Sequence, residues 1–389
     1  MRTWITVLCI AVAGACSPGG GAGTPTSVAA GPAEGDVEAT YDFPSVSNFN
    51  AITADADSIY LAATNKVTEG NWEWRVLKVD PANGGVLWQK SPSMSEKKDE
   101  CLAIAHWGEF LFCGGTEWVS IGGKARCRVE QRLKSSGSLV RSYVWDPTAE
   151  DDIVTSVVCD GSSLYAFGYG NGKIFGVKWA LSTGDPVWTI IRDALYASEQ
   201  ALAAVDSTFS FILVGEAKDS SLIQKWDSTA GGLVSSFGIE GQIRQSGTEE
   251  RRYFKDVAAD LDSAYIAGCI VNKSNDSHQL VIEKRASGLG TPVKENGWAN
   301  HNPRLIDLGT GEAGATAVVR VGLNLFVVAY DSSRGLLLQK MSTQGDLGDG
   351  FGTAGMRAYS NFVVPADAAH WDGHLFVALK GQQILKIKL

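Results

Sequence analysis

Between residues 313 and 345 three apolar runs alternate with turn residues. The small-residue run Ala315-Thr316-Ala317-Val318-Val319 is followed by Gly322-Leu323-Asn324, and then by Leu325-Phe326-Val327-Val328-Ala329-Tyr330. After a short loop, Leu336-Leu337-Leu338-Gln339-Lys340 closes on Gly345. Runs of this length bounded by glycine and asparagine read as strands joined by tight turns. The same unit returns along the chain with its aromatic or aliphatic anchor at Tyr60, Leu111, Tyr165, Ile212, Tyr265, Phe326 and Phe376, at spacings of 51, 54, 47, 53, 61 and 50 residues. A strand-only unit with a period near fifty predicts a β-propeller, in which each unit is a four-stranded blade.

Unit one places strands at 51–53, 59–64, 74–79 and 85–89. Units two to six cover about 101–146, 153–191, 201–244, 256–294 and 314–359, and the seventh has strands only near 366–369, 375–380 and 384–388. An isolated alternating strand, Val37 to Phe43, precedes unit one and is the expected supplier of the missing fourth strand. Pairing it beside Ile384 to Lys388 closes the ring and removes an open sheet edge. The expectation is one all-β domain over 37–389, a seven-bladed β-propeller closed by an N-terminal strand that completes the last blade. Small residues in the first strands, such as Ala51, Ala103, Ser156, Ala258 and Ala317, fit strands that converge on a central channel. Glycine after the third strands, at Gly84, Gly137, Gly231 and Gly288 among others, is expected where a hairpin needs positive φ.

The N-terminus carries a different message. Arg2 followed by the apolar stretch Trp4 to Val12 is too short for a stable membrane span and reads as a signal peptide over 1–15. The stretch ends in Ala13-Gly14-Ala15-Cys16-Ser17, which resembles the lipobox of bacterial lipoproteins. That resemblance implies acylation of Cys16, as with palmitate, and Ser17 after it resembles the pattern that sends such proteins to an outer membrane. Residues 16–36, rich in Gly, Pro, Ala, Ser and Thr, read as a flexible tether. The net charge of -9, with no basic stripe, works against nucleic acid and leaves the lipid as the expected contact with the membrane. The remaining cysteines, Cys101, Cys113, Cys127, Cys159 and Cys269, are odd in number and cannot all pair internally. Cys113 and Cys127, on neighbouring strands, are the candidate disulfide; the alternative is that all five are small buried hydrophobes.

Ser236-Phe237-Gly238-Ile239-Glu240-Gly241 and Gly350-Phe351-Gly352-Thr353-Ala354-Gly355, assigned to fourth strands, resemble the bacterial delta-sixty repeats of secreted and surface propeller-like proteins. Asp80-Pro81-Ala82-Asn83-Gly84-Gly85-Val86-Leu87-Trp88 and Ser182-Thr183-Gly184-Asp185-Pro186-Val187-Trp188 resemble the tryptophan-docking repeats of pyrroloquinoline-quinone-type propellers. The propeller lipoprotein of the outer-membrane barrel-assembly machinery shares that repeat style, so the resemblance implies a scaffold on the cell envelope.

A quinone dehydrogenase of that type would need a calcium site and, in many members, adjacent cysteines; no Cys-Cys pair exists here. None of the five histidines belongs to a metal-ligand spacing, so neither metal nor cofactor is expected. Recurrent aspartates after the first strands, Asp55 and Asp57, Asp160, Asp206, Asp262 and Asp372, are explained as turn formers that accept backbone amides. Two functions stay open: a lipid-anchored interaction scaffold, and a hydrolase or lyase acting on an envelope or extracellular polymer. A central-channel cluster of carboxylates or histidines would favour the enzyme. For the scaffold, read as a monomer with a protein or polysaccharide partner, strand direction assigns binding to one face. The expected long loops there are 65–73, 91–100, 117–126, 244–254, 271–279 and 295–312, and they hold Trp72, Trp118, Arg251, Arg252, Tyr253, Trp298 and His301.

Overall fold

A computed structural model of the chain describes residues 32–92, 95–119, 123–148, 150–193, 197–204, 210–217 and 220–389. The signal peptide, Cys16, most of the tether and Asp206 lie outside the described residues. Within them, 28 strands form seven four-stranded sheets in which each strand pairs antiparallel with its neighbours. Blade one is Asn48–Ala54, Ile59–Thr68, Asn71–Val79 and Val86–Lys90, and blade two Glu100–Trp107, Phe110–Val119, Lys124–Leu133 and Leu139–Trp145. Blade three is Asp152–Cys159, Ser163–Gly170, Lys173–Ala180 and Pro186–Asp193, and blade four Ala197–Ala204, Phe211–Ala217, Ser220–Trp226 and Gln242–Gln245. Blade five is Glu250–Ala259, Ser263–Asn272, Ser277–Ala286 and Arg304–Thr310, and blade six Ala313–Val321, Asn324–Asp331, Gly335–Ser342 and Met356–Tyr359. Blade seven takes Pro365–Trp371, His374–Leu379 and Gln383–Lys388 from the end of the chain and Val37–Asp42 from its beginning. Val37 opposes Ile387 and Asp42 opposes Gln383, so the N-terminal strand closes the ring as expected.

The seven anchors share one register position. Tyr60, Leu111, Tyr165, Ile212, Tyr265, Phe326 and Phe376 oppose Thr53, His106, Val158, Ala203, Ala258, Val319 and Ala369 across the first hairpin of each blade. Each anchor is at most 2% exposed. The blade faces are apolar because the second strands are nearly continuous in apolar and small residues, while the third strands mix apolar side chains with buried polar ones such as Glu130, Gln224, Glu283 and Gln339, and each face is buried against the next blade. Seven buried clusters result, one between each neighbouring pair of blades. Taking one such large side chain out of water stabilises by about 1.5–3 kcal/mol, against about 0.2–1 kcal/mol for an exposed ion pair.

The rim of the ring is stitched by tryptophans. Trp88 donates its Nε1–H to the Lys134 carbonyl of the following blade at 2.9 Å, Trp188 to the Ser228 carbonyl at 3.1 Å and Trp298 to the Thr343 carbonyl at 3.1 Å. The rings lie against turn glycines of that blade: a Cβ on Gly137 would meet Trp88 at 2.8 Å, and one on Gly231 would meet Trp188 at 2.6 Å. Both glycines also hold positive φ, 70° and 74°, so backbone geometry and space exclude a side chain together. In the fifth blade this turn position is Gly290, φ 72°, rather than Gly288.

Several loop expectations are corrected. The 65–73 and 271–279 segments are mostly strand, because their polar residues continue the ladder past the apolar core, leaving Glu69-Gly70 and 273–276 as turns. Around 117–126, strand runs to Val119 and resumes at Lys124. Arg251, Arg252 and Tyr253 are strand residues, and the fourth strand of blade five occupies Arg304–Thr310 within 295–312. Among the described residues, the long connections of blades four, five and six are 227–241, 287–303 and 343–355, joining third to fourth strands on the opposite face. They are long because Phe237, Trp298 and Phe351 fold back into interblade cores, where each is 0% exposed. The two Phe-Gly motifs therefore precede the fourth strands instead of forming them.

The disulfide expectation is also corrected: Cys113 and Cys127 are free and buried. Cys113 opposes Glu130, while Cys127 opposes Thr116, three residues further along the strand. Side chains alternate along a strand, so the two thiols lie on opposite faces of the sheet, one packed toward blade one and the other toward blade three.

Candidate functional site at one mouth of the central channel

Every first strand shifts register at the same place. The shifts fall at Phe49/Ala51, Cys101/Ala103, Val154/Ser156, Ser198/Ala201, Phe254/Asp256, Ala315/Ala317 and Pro365/Asp367. A bulge inserts an extra residue and re-aims its side chain. Six of these extra residues, Asn50, Leu102, Thr155, Lys255, Thr316 and Ala366, line one cavity of about 670 Å³ where the first strands begin. A smaller hollow of about 300 Å³ on the edge of blade four, lined by Gly238, Ile239, Gln242, Ile243 and Arg244, gathers no comparable chemistry.

The cavity mouth is charged and aromatic. Lys98, Arg251, Lys255 and Lys380 stand against Glu100, Glu216 and Glu312, and Tyr169, Tyr253 and Tyr330 supply rings. The sign of this wall is positive by one in a chain whose net charge is -9. Arg251 grips Glu216 with two bonds, Nε–H at 2.7 Å and Nη2–H at 3.1 Å, and Lys98 meets Glu100 at 2.8 Å. The Tyr253 ring carries Arg251 at 5.8 Å and Lys255 at 5.5 Å. Burial, together with the neighbouring Lys380 ammonium, holds the Lys255 amine down at about 8.

Deeper in the channel, Asp256 and Asp367 occupy the position that is Ala51, Ala103, Ser156 and Ala317 in other blades. Asp256 accepts the Val257 N–H at 2.8 Å and the Val318 N–H of blade six at 2.7 Å. Asp367 accepts the Ala368 N–H at 2.8 Å and the Ile52 N–H of blade one at 2.9 Å. Each carboxylate thus stitches its blade to the next. Burial outweighs these amide bonds and pushes Asp256 up to about 6 and Asp367 up to about 7, the latter aided by repulsion from Asp256. Ringed by protein, both side chains still keep part of their surface open to the channel. The sequence signal for them was an aspartate interrupting a register of small residues.

The expected binding residues separate into three groups. Arg251 and Tyr253 reach the cavity, because alternation along their strand turns 251, 253 and 255 the same way; Arg252 faces elsewhere and pairs with Glu250 at 2.6 Å. Trp72 and Trp118 are brought together around buried Asp99. The Trp72 carbonyl accepts the Asp99 N–H at 2.9 Å, and the Trp118 N–H donates to the Asp99 carboxylate at 2.7 Å. Their backbones fix the linker between blades one and two. Trp298 and His301 belong to the 287–303 connection on the opposite face, Trp298 wholly buried and His301 exposed. This corrects their assignment: Trp298 is a docking tryptophan supplied by a connection instead of a fourth strand.

The aspartates of the first turns in blades one and three behave as turn formers. Asp55 and Asp160 accept turn amides and the Tyr60 and Tyr165 hydroxyls at 3.1 and 2.7 Å. In blade five this acceptor is Asp260, bonded to the Tyr265 hydroxyl at 3.0 Å, whereas Asp262 contributes its N–H. Among the described residues no three His, Cys, Asp or Glu side chains are grouped to hold a metal ion.

No protein-family model and no curated protein matches the sequence. Solved structures do match the fold. Sqt1 from Chaetomium thermophilum aligns over 92% of this chain and 99% of its own with 12% identity and a TM-score of 0.52. Hydrazine synthase from Kuenenia stuttgartiensis aligns over 91% of this chain and 99% of its own with 11% identity and a TM-score of 0.55. At such identities the likeness shows the seven-bladed architecture alone.

Proposed function

We propose that this protein is a lipid-anchored propeller of the bacterial cell envelope that acts as an interaction scaffold, receiving a protein or polysaccharide partner at the cavity mouth. The observation that carries this reading is the cavity. Its volume of about 670 Å³ lies within the range of ligand sites, and all seven blades contribute to its wall. Unlike the packing positions, the wall positions differ in chemistry from blade to blade, as a binding surface on a rigid frame requires. The anchor and the outer-membrane address rest on Ala13-Gly14-Ala15-Cys16-Ser17. The docking of Trp88 and Trp188 supports kinship with pyrroloquinoline-quinone-type repeats, and the buried Phe237 and Phe351 are compatible with delta-sixty repeats. The channel does gather the carboxylates that would favour a hydrolase or lyase, Asp256 with Asp367 inside and Glu100, Glu216 and Glu312 at the mouth, but that reading is less well supported. Acid–base cleavage needs carboxyl oxygens that face substrate, and both oxygens of Asp256 and of Asp367 accept backbone amides.

The reading is tested with the full chain produced in a bacterial envelope. Wild type is expected in the membrane fraction, Cys16→Ser in the soluble fraction or as unprocessed precursor. Crosslinking in intact envelopes, followed by purification, is expected to recover a partner that Lys98→Gln with Arg251→Gln loses while still melting cooperatively. Soluble wild type with a free Cys16 thiol overturns the anchor; equal partner recovery by the double variant overturns the cavity as the binding site.

A further inference from the structure

The outer edge of the ring carries a second set of bulges, remote from the cavity. In blades one to three the fourth strand shifts register where it begins. Val79 opposes Val86 while Lys78 opposes Trp88, Arg132 opposes Leu139 while Gln131 opposes Arg141, and Trp179 opposes Pro186 while Lys178 opposes Trp188. The extra residues are Leu87, Val140 and Val187, exposed at 55%, 49% and 53%. Each follows another exposed apolar residue, Val86, Leu139 or Pro186. Packing does not call for these side chains, because they face solvent. Nor does the backbone call for them, as blade seven demonstrates. Its fourth strand has the same bulge, between Val37 opposite Ile387 and Ala39 opposite Lys386, and there the extra residue is Glu38, paired with His374 at 2.8 Å and Lys386 at 3.7 Å. The described ladders of blades four and six lack the bulge, and the shift in blade five leaves Leu308, which is buried. The exposed apolar bulge is thus a property of three adjacent blades. Trp88 lies on Gly137 and Arg141 on Gly184, so each pair is pinned to the next blade and the three pairs make one apolar margin.

This margin sits on the face away from the cavity. First strands begin at the cavity and successive strands alternate in direction, so fourth strands begin on the opposite face. The chain enters the ring on that face too: the Gly35 N–H donates to the carbonyl of Lys388, at the end of a third strand, and the sequence before it leads back to Cys16. We infer that the margin rests on the lipid bilayer that holds Cys16, with Leu87, Val140 and Val187 at the boundary of headgroups and acyl chains. This rests on the reading of Cys16 as a lipid anchor and names the surface by which the body of the propeller meets the membrane. Contact made by a body already tethered is intramolecular, so a modest apolar area suffices. A partner strand could pair with the edge of only one blade, whereas a bilayer is a continuous surface that meets pairs from three edges together. A second copy of the chain is the competing occupant.

Photolabelling decides it. The full chain, purified from a bacterial envelope, is reconstituted into phosphatidylcholine vesicles that contain a photoactivatable phosphatidylcholine, and labelled peptides are identified by mass spectrometry. Label is expected on the peptides that hold Val86-Leu87, Leu139-Val140 and Pro186-Val187. None is expected at Leu305, an exposed leucine on the fourth strand of blade five, or at the cavity mouth. Leu87→Glu, Val140→Glu and Val187→Glu combined give these bulges the residue type of blade seven. The triple variant is expected to lose about tenfold in that labelling, while it stays in the membrane fraction through Cys16 and melts within a few degrees of wild type. Label confined to the Cys16 peptide, label spread equally over both faces, or equal labelling of the triple variant overturns the inference. Dimers in detergent that the triple variant loses, with the margin unlabelled in vesicles, assign the margin to a second copy and overturn it as well. If Cys16 carries no lipid, the anchor reading fails, and flotation of the soluble chain with the same vesicles tests the margin by itself. Flotation that the triple variant loses upholds the margin as a membrane surface; flotation that is absent, or equal in the variant, overturns it.

Discussion

The rim and the channel of this ring obey different rules. At the rim one contact is written again and again: a side chain from one blade lies on the turn glycine of the next, as Trp88 does on Gly137, Trp188 on Gly231 and Trp298 on Gly345. At the channel one backbone feature, the bulge, repeats in every blade while its side chain changes from asparagine to leucine, threonine, lysine and alanine. Packing dictates the first set, because each rim position must fill the same space. Nothing in the packing dictates the second, because the six bulge residues that line the cavity point into open volume. Repetition therefore reports the fold, and departure from repetition reports the site.

The comparison breaks most visibly if the ring is opened. Deleting 37–44 removes the strand that opposes Gln383–Lys388 and exposes that edge, so cooperative unfolding is expected to be lost or the protein to aggregate. Deleting 17–31 is expected to do neither. That deletion stops short of Gly35 and Asp36, which accept bonds from the Tyr359 hydroxyl and Arg357. Equal behaviour of the two deletions in thermal melts defeats the account of closure.

A smaller effect separates a rim tryptophan from a mouth tryptophan. Trp298→Ala leaves a void in the interface of blades five and six and is expected to cost about 3–5 kcal/mol. Trp72→Ala, half-buried and attached to its surroundings mainly through its backbone, is expected to cost about 1 kcal/mol. Denaturant titration of both variants checks the ranking, and a Trp72 cost equal to that of Trp298 contradicts it.

The smallest effect sharpens the channel side. Asp256 and Asp367 titrate higher in the folded chain than carboxylates ordinarily do, so the folded state holds their protons more tightly than the unfolded one. Their contribution is present at low pH and is lost as pH rises through about 6 and about 7. Asp256→Asn with Asp367→Asn is expected to lower stability throughout, since each asparagine offers one acceptor to two amides. It is also expected to flatten the decline between about pH 4 and pH 7 relative to wild type. An unchanged difference between the two proteins at those pH values removes the assignment.

The same division explains how much the sequence disclosed. The anchors from Tyr60 to Phe376 could be read because packing forces one residue type into one register, and the closing strand could be read because blade seven lacked a partner. Cys113 and Cys127 misled because proximity of strands says nothing of which face a side chain takes. Trp298 and His301 misled because the polar run Asn300-His301-Asn302-Pro303 leads into the fourth strand of blade five, Arg304–Thr310, so the whole stretch resembles a loop. The site was the least legible part. Lys255, Tyr169, Tyr330 and Lys380 are scattered over four blades, and their meeting is a property of the closed ring, visible in no local pattern.

The closing strand has one more consequence, which concerns orientation. First strands begin at the cavity mouth, so third strands begin there too and end on the far face. Gln383–Lys388 is a third strand, and Val37–Asp42 runs antiparallel to it from Lys388 backwards. The chain therefore enters the ring on the far face, where the Gly35 N–H donates to the Lys388 carbonyl at 2.7 Å. A molecule held to a bilayer through Cys16 would be tied from that side. Its attachment point and its cavity would then lie on opposite faces of the propeller, so the lipid tether would not cross the mouth through which a partner arrives.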